Sequence, residues 1–244
     1  MLGLPPSVRA CLFDLDGVLT KTATVHFAAW KRAFDEFLHR YEPGQAEFGQ
    51  LDYNRYVDGK HRADGVRGFL ASRGITLPEG SAGDPPDAAT VQAIATRKNE
   101  MVLRELEEHG VEIYPGSVDY LRAVKEAGLP AAVVTASANG EKVIAAGGFA
   151  DLIDERVDGL VAARDGLRGK PEPDTFLAGA RLLSVDPAEA VVFEDAISGV
   201  AAGRAGRFGY VVGVDRVGQA DALREAGADV VVTDLSELMG RDAT

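Results

Sequence analysis

Two aspartates, Asp14 and Asp16, stand one residue apart between the short apolar run Ala10–Phe13 and Gly17. Side chains alternate along a strand, so both carboxylates lie on the same side of an extended chain. Crowded carboxylates share a proton or bind a cation, and a ligand set made only of oxygens favours Mg²⁺. One aspartate could attack phosphorus while the other handles the leaving-group proton. A solvated turn after a buried strand would use the same residues, because Asp and Gly are common in turns.

The overall charge of the chain argues against two classes of binding partner. The chain has 244 residues and a formal net charge of -12, which argues against nucleic acid or an anionic membrane as its main partner. No stretch reaches the roughly 18 consecutive apolar residues of a membrane helix, and residues 1–7 lack a signal-peptide pattern. We therefore expect a cytoplasmic protein whose phosphorylated substrate is attracted by local cations and a metal ion.

The single cysteine, Cys11, lies within the first apolar run. One cysteine excludes an internal disulfide, and its place in a strand predicts a buried structural thiol rather than a catalytic one.

The pattern of apolar residues predicts a parallel sheet with an inserted helical block. Residues 22–110 show helical periodicity, whereas the chain from Tyr114 onward alternates helices with short apolar strands. Such strands form a parallel sheet covered on both faces, an α/β doubly wound architecture. We expect one domain from residues 1–21 and 111–244, and a helical domain from residues 22–110. The predicted strands are Ala10–Phe13, Ala131–Thr135, Ala190–Glu194, Gly209–Val214 and Val230–Thr233. The predicted helices are Ala88–His109, Ser117–Ala127, Gly140–Ala146, Asp174–Leu183, Ser198–Ala205 and Gln219–Ala226.

Open parallel sheets bind ligands beyond the carboxyl ends of their strands. The polar residues predicted at those ends, or in the loop that follows, are Asp14, Thr135, Lys170, Glu194 and Asp195. Each has a structural alternative: the threonine could cap a helix, the lysine could be a solvated charge, and the acidic pair could complement a helix N-terminus. Their convergence at one edge of one sheet favours a functional site.

The ordered set Asp14-x-Asp16-Gly17, Thr135, Lys170-Pro171 and Glu194-Asp195 resembles the four motifs of the haloacid dehalogenase superfamily of phosphotransferases. The resemblance spans essentially the whole chain and implies a Rossmann-like core. It implies that Asp14 attacks phosphorus and becomes an aspartyl phosphate, while Asp16 is the general acid/base. Thr135 and Lys170 would hold the phosphoryl group. Mg²⁺ would be bound by Asp14, the backbone carbonyl of Asp16, and Asp195, with Glu194 in or next to its shell.

The inserted block resembles the helical cap of the β-phosphoglucomutase-like members, a cap that closes over the site and excludes water. In that subfamily a histidine positions the acid/base aspartate, a tryptophan lines the sugar pocket, an arginine grips the phosphate that is not transferred, and a lysine reaches the active site. The matching residues here are His26, Trp30, Arg62 and Lys98. The remaining substrate-binding residues that the resemblance implies are Thr22, Gly59, Lys60, Ala136, Ser137 and Asn139. Each of these residues has a structural alternative. His26 and Trp30 could belong to an ordinary helix packing face, and Arg62 and Lys98 could be solvated surface charges.

Two positions depart from the subfamily pattern. Lys21 stands where the mutases have an acidic residue, and Ala138 stands where they have a lysine for the distal phosphate. The second change removes one cation from a site that must hold a bisphosphate, and Lys60 or His61 are the candidates to replace it.

The resemblance implies a Mg²⁺-dependent mutase that interconverts β-glucose 1-phosphate and glucose 6-phosphate through a sugar bisphosphate. A sugar-phosphate phosphatase that uses water as the acceptor is the first alternative, and a catalytically silent binding protein is the second. The expected partner is a small phosphorylated sugar, and the sequence leaves the oligomeric state open, with a monomer compatible.

Overall fold

A computed structural model describes residues 1–240, and residues 241–244 of the predicted first domain lie outside the described part. The chain divides into two compact units. The first consists of Met1–Lys21 and the chain from Val111 onward, and the second is Thr22–Gly110.

The first unit is built on a parallel sheet, which has six strands within residues 1–240. In spatial order the strands are β3, β2, β1, β4, β5 and β6. Their bounds are β1 Ala10–Phe13, β2 Ala131–Val134, β3 Glu155–Val157, β4 Ala190–Glu194, β5 Tyr210–Val214 and β6 Val230–Val232. The order reverses at β1, whose neighbours are β2 and β4, so a ligand-binding crevice is expected beyond its carboxyl end.

Strands β1, β2 and β4 are buried along their whole length. Their continuous apolar runs are typical of strands covered on both faces. The Phe13 ring on β1 stacks on the Phe193 ring of β4, with centroids 4.4 Å apart. Because Asp14 and Glu194 follow these rings, the packing fixes where both carboxylates leave the sheet.

The helices α5 to α10 belong to the first unit. They span α5 Pro115–Glu126, α6 Gly140–Gly147, α7 Gly159–Asp165, α8 Asp174–Leu182, α9 Ile197–Ala205 and α10 Ala220–Ala226. These bounds differ by no more than two residues from the predicted ones, except that α7 was not predicted.

The second unit is helical throughout its regular elements, as expected. Its helices are α1 Thr22–Tyr41, the short α2 Gln50–Asp52, which continues as a π-helical turn over Tyr53–Val57, α3 Arg62–Ser72 and α4 Val91–His109. The start of α4 was predicted at Ala88, but the Thr90 hydroxyl accepts a hydrogen bond from Ala93 N at 3.1 Å, and this side-chain cap starts the helix at Val91.

An aromatic core holds the second unit together. Phe34 packs against Trp30, Phe48 and Phe69, with ring centroids 4.3 to 5.0 Å apart. The cluster explains the spacing of apolar residues along α1, whose inner face carries Trp30 and Phe34. Within residues 1–240, no helix is both long enough and apolar enough to span a bilayer.

Candidate active site

Asp14 lies at the carboxyl end of β1 and is paired with Lys170. The Asp14 backbone N–H donates to the carbonyl of Phe193 at 2.9 Å, which continues the ladder between β1 and β4. Its side chain accepts a 2.5 Å hydrogen bond from Lys170 Nζ, and the same ammonium donates to Glu194 Oε1 at 2.5 Å. All three side chains are buried. The lysine predicted to hold a phosphoryl group therefore lies beside the proposed nucleophile.

The electrostatics of this cluster are dominated by burial. Burial raises the pKa of Asp14 well above its ordinary value; Lys170 opposes that rise, whereas Glu194 and Asp16 add to it. Burial lowers the pKa of Lys170, but Asp14 and Glu194 outweigh it and leave this pKa raised. Lys170 is thus held as an ammonium between two buried carboxylates.

Glu194 is fixed by its own loop. Its Oε2 accepts a 2.7 Å hydrogen bond from Ala196 N, while Oε1 accepts from Lys170. A side chain at Gly199, on the first turn of α9, would overlap Glu194 Oε1. Glycine at this position therefore leaves the space that the carboxylate occupies.

Three buried carboxylates form a candidate metal centre. Asp14, Glu194 and Asp195 each offer one oxygen, and these oxygens lie within 4.8 Å of one another. Such an all-oxygen set suits a hard cation, whose charge would favour the ionised form of the buried Asp14 carboxyl. The side chain of Asp16 is not part of this group within residues 1–240, which fits the resemblance, where Asp16 contacts the metal through its backbone carbonyl and its carboxylate acts as the acid/base.

Asp16 and Thr135 follow the neighbouring strands β1 and β2, and their side chains are hydrogen-bonded. Thr135 Oγ1 donates to Asp16 Oδ2 at 3.2 Å and accepts from Ser137 N at 3.0 Å. Ser137 Oγ in turn accepts from Asn139 N at 3.2 Å. The loop after β2, which includes the half-buried Ala136, is thus ordered by its own side chains, and it brings the predicted hydroxyl to the predicted acid/base.

Three of the predicted residues of the second unit form one cluster. Lys98 Nζ lies 2.5 Å from His26 Nδ1 and 5.0 Å from the centroid of the Trp30 ring. Lys98 and Trp30 are buried, as is Thr22 at the start of α1. A lysine pulled into a helical core against a histidine and an indole is not an ordinary solvated charge.

The loop before α3 and the first residue of this helix carry the other predicted cations. Gly59 adopts the left-handed φ of 70°, and Lys60 Nζ donates to Arg55 O at 3.1 Å. Burial lowers the pKa of Lys60 and of Arg62. No carboxylate among residues 1–240 forms an ion pair with Arg62, so its half-buried guanidinium lacks a counterion there.

Sequence reasoning missed residues that support the core site. The ring of Phe176 lies 4.8 Å below Lys170 Nζ, and Gln219 Nε2 donates to the backbone carbonyl of Asp195 at 2.9 Å. Arg216 and Gln219 lie in the loop after β5. Applying the rule of polar residues at strand carboxyl ends to β5 would have found both.

Comparisons with known proteins agree on the family. The model of the haloacid dehalogenase-like hydrolases matches residues 8–207. A β-phosphoglucomutase of Mycobacterium bovis is 53% identical, with 98% of this chain and 94% of that protein covered. Hexitol phosphatase A of Escherichia coli is 31% identical, covering 94% and 93%. The crystal structure of β-phosphoglucomutase from Clostridium difficile superposes with a TM-score of 0.77 at 24% identity, covering 96% and 94%.

Proposed function

The chain belongs to the haloacid dehalogenase-like hydrolase family of enzymes, and we propose that it is a Mg²⁺-dependent β-phosphoglucomutase. The reaction would interconvert β-glucose 1-phosphate and glucose 6-phosphate through the 1,6-bisphosphate. The observation that carries the proposal is the buried set of Asp14, Lys170, Glu194 and Asp195, in a chain 53% identical to a β-phosphoglucomutase.

Asp14 is the proposed nucleophile. Its carboxylate attacks the phosphorus of the substrate, the bond from phosphorus to the leaving oxygen breaks, and an aspartyl phosphate forms. Lys170, already 2.5 Å from Asp14, donates hydrogen bonds to the equatorial oxygens of the transferring group. Thr135 would hold the same group through its hydroxyl.

Mg²⁺ would be held by Asp14, Asp195 and the backbone carbonyl of Asp16, with Glu194 in or beside the shell. The all-oxygen donor set and the close approach of three buried carboxylates support this choice of ion. When bound, the ion would neutralise charge on the phosphoryl oxygens and orient them towards the nucleophile.

Asp16 is the proposed general acid/base. It would give its proton to the sugar oxygen as the phosphoryl group leaves, and would take a proton from the acceptor hydroxyl in the reverse transfer. The hydrogen bond from Thr135 Oγ1 at 3.2 Å supports an ordered carboxylate.

A mutase needs a second phosphate site, because its intermediate carries two phosphates. Arg62 is the proposed ligand of the phosphate that is not transferred, helped by Ser137 and Asn139. A half-buried guanidinium without a counterion is suited to bind a phosphate in a bidentate fork. Lys60 or His61 would supply the charge that Ala138 lacks.

The sugar itself would be bound by the second unit. Trp30 offers an apolar ring, and His26 and Lys98 offer polar atoms. Thr22 and Gly59 of the same unit and Ala136 of the first unit are the further proposed substrate contacts. The small phosphorylated sugar is the only partner that this proposal requires.

Two observations favour a phosphatase as the second candidate. Ala138 removes a cation that the mutase site uses, and the similar E. coli protein is named a hexitol phosphatase. In that case water would replace the sugar hydroxyl as the acceptor from phospho-Asp14.

Product analysis separates the two. The protein is supplied with β-glucose 1-phosphate, Mg²⁺ and a trace of the bisphosphate, and glucose 6-phosphate and free phosphate are followed separately. A mutase forms glucose 6-phosphate with little free phosphate, and EDTA stops it. Free phosphate released in step with substrate loss would identify a phosphatase. Absence of both products, together with no turnover of acetyl phosphate, would indicate a silent binding protein.

A further inference from the structure

Arg216 is a largely buried residue to which the reaction described above assigns no role. It follows β5 by two residues, and its side chain is only 13% exposed. Its guanidinium makes five hydrogen bonds, all within the first unit. Such a complete set of partners fixes both the place and the plane of the group.

One side of the guanidinium holds the turn that follows Asp16. Arg216 Nε donates to the carbonyl of Gly17 at 2.8 Å, and Nη2 donates to the carbonyl of Val18 at 3.3 Å. These are the first two carbonyls after Asp16 in the chain. The arginine therefore contacts the backbone that carries this carboxylate, without contacting the carboxylate itself.

The other side of the guanidinium is anchored to regular structure. Nη1 donates to Thr233 O at 2.5 Å and to Asp234 Oδ2 at 3.3 Å, and Nη2 donates to Ser117 Oγ at 3.1 Å. The group also stacks over the Tyr114 ring, 3.5 Å from its centroid. These contacts attach the turn to α5 and to the end of β6.

The turn needs such support because of its own sequence. Gly17 has φ 94°, and any side chain there would overlap the Asp195 carboxylate. Glycine lets the turn pass close to the metal centre, yet a glycine has no side chain with which to hold it. Within the turn, Gly17 N donates to Thr20 O at 2.7 Å, and Arg216 adds an external attachment.

We propose that Arg216 is a positioning residue, which holds the Asp16–Gly17–Val18 turn so that Asp16 faces the leaving oxygen. The inference rests on the proposed acid/base role of Asp16. Its chemical consequence is specific to the leaving group. A sugar oxygen must take the Asp16 proton as its bond to phosphorus breaks, whereas acetate leaves acetyl phosphate as a stable anion without that proton. Loss of Arg216 should therefore slow transfer from the sugar phosphate and spare transfer from acetyl phosphate.

The test measures single-turnover phosphorylation of Asp14 in the full chain with Mg²⁺, using β-glucose 1,6-bisphosphate and acetyl phosphate as donors. For Arg216→Gln, we expect the sugar-phosphate rate to fall at least about tenfold, because misplacing a catalytic group by about an ångström costs up to about a hundredfold. The acetyl phosphate rate should change less than about threefold. Arg204→Gln, which removes an exposed arginine paired with Asp229, should change neither rate.

A double-mutant cycle with Asp16→Asn completes the test. If Arg216 acts through Asp16, Arg216→Gln should slow the sugar-phosphate reaction less than about threefold once Asp16 is already Asn. Equal slowing with both donors, or full additivity with Asp16→Asn, would overturn the inference in favour of a general structural role. Should Arg216→Gln fail to fold, as judged by circular dichroism, Arg216→Lys is measured instead, with the same donor preference expected.

The cycle also distinguishes this inference from the proposed function. If Asp16→Asn slows transfer from the sugar phosphate as expected but Arg216→Gln does not, the Arg216 inference alone is overturned. An Asp16→Asn variant that transfers from the sugar phosphate at the wild-type rate would overturn the acid/base assignment, and the Arg216 inference with it.

Discussion

Gly199 lies so close to Glu194 that a methyl group on the α-carbon of Gly199 would overlap Glu194 Oε1. A methyl group there would displace the carboxylate from the position in which it accepts hydrogen bonds from Lys170 Nζ and Ala196 N. The predicted metal centre therefore depends on a glycine that contributes no chemistry of its own.

The first prediction concerns this glycine. Gly199→Ala should lower the melting temperature by about 2–12 °C, since an overpacked site costs roughly 1–3 kcal/mol, and about 1 kcal/mol shifts a domain of this size by about 2–4 °C. It should also raise the Mg²⁺ concentration needed for half-maximal activity. Gly83→Ala, where the nearest atom to the added carbon is 4.0 Å away, is the control and should change neither quantity. A variant with wild-type stability and Mg²⁺ dependence would show that Glu194 relocates without cost.

A second prediction concerns Asp14. Asp14→Asn should fold but lose turnover by orders of magnitude, because an amide is a poor nucleophile and a weaker metal ligand. Intact-mass spectrometry after mixing with acetyl phosphate should show a phosphorylated wild-type chain and an unmodified variant. Activity above about one per cent of wild type would contradict the covalent mechanism.

A third prediction uses the one cysteine. Cys11 lies in β1 and is fully buried, and burial raises the pKa of its thiol. The native protein should therefore resist iodoacetamide at pH 8, since the thiolate is the reactive form, and should be alkylated once guanidinium unfolds it. Mass spectrometry of the two samples is the measurement. Rapid alkylation of the native protein would show that β1 opens to solvent.

The parts of the fold with strong periodicity were predictable. β1 and β4 have the predicted bounds, because continuous apolar runs next to Asp or Glu leave little choice of start and end. β3 was missed because two of its three residues, Glu155 and Arg156, are charged, and because it is an edge strand that pairs, within residues 1–240, with β2 alone. Its pairing depends on contacts that are distant in sequence, which periodicity does not report.

In the candidate site, too, some residues could be predicted from a local sequence pattern and others could not. Asp14, Thr135 and Lys170 were predicted because they follow strands or fit a known motif. Arg216 was not, since its role lies in which carbonyls its guanidinium reaches, and those belong to residues 198 and 199 positions earlier in the chain. The strand-end rule would have pointed to Arg216 as a polar residue after β5, but these contacts with distant carbonyls leave no local pattern.

The last prediction concerns Arg62 and separates a mutase from a phosphatase. Arg62 lies at the start of α3 and lacks a carboxylate partner within residues 1–240, so a substrate phosphate is its expected counterion. A charge-assisted bidentate contact is worth roughly 1.5–3 kcal/mol, or about tenfold to a hundredfold in rate or affinity. Arg62→Ala should therefore lower formation of glucose 6-phosphate at least about tenfold and raise the bisphosphate concentration needed for activation. Hydrolysis of acetyl phosphate, which carries a single phosphate, should change less than about threefold on the same scale.

Arg67 provides the matched control, because it lies on the same helix but is already paired with Asp64 and Glu79. Arg67→Ala removes a guanidinium from α3 whose charge is already compensated by carboxylates. Because surface ion pairs contribute roughly 0–1 kcal/mol, both activities should stay within about threefold of wild type. Equal losses of both activities in Arg62→Ala would mean that Arg62 supports the fold of the helical unit. No loss in either activity would assign the distal phosphate to other residues and leave the phosphatase as the better description, since an enzyme for simple monoesters has no use for a second phosphate site.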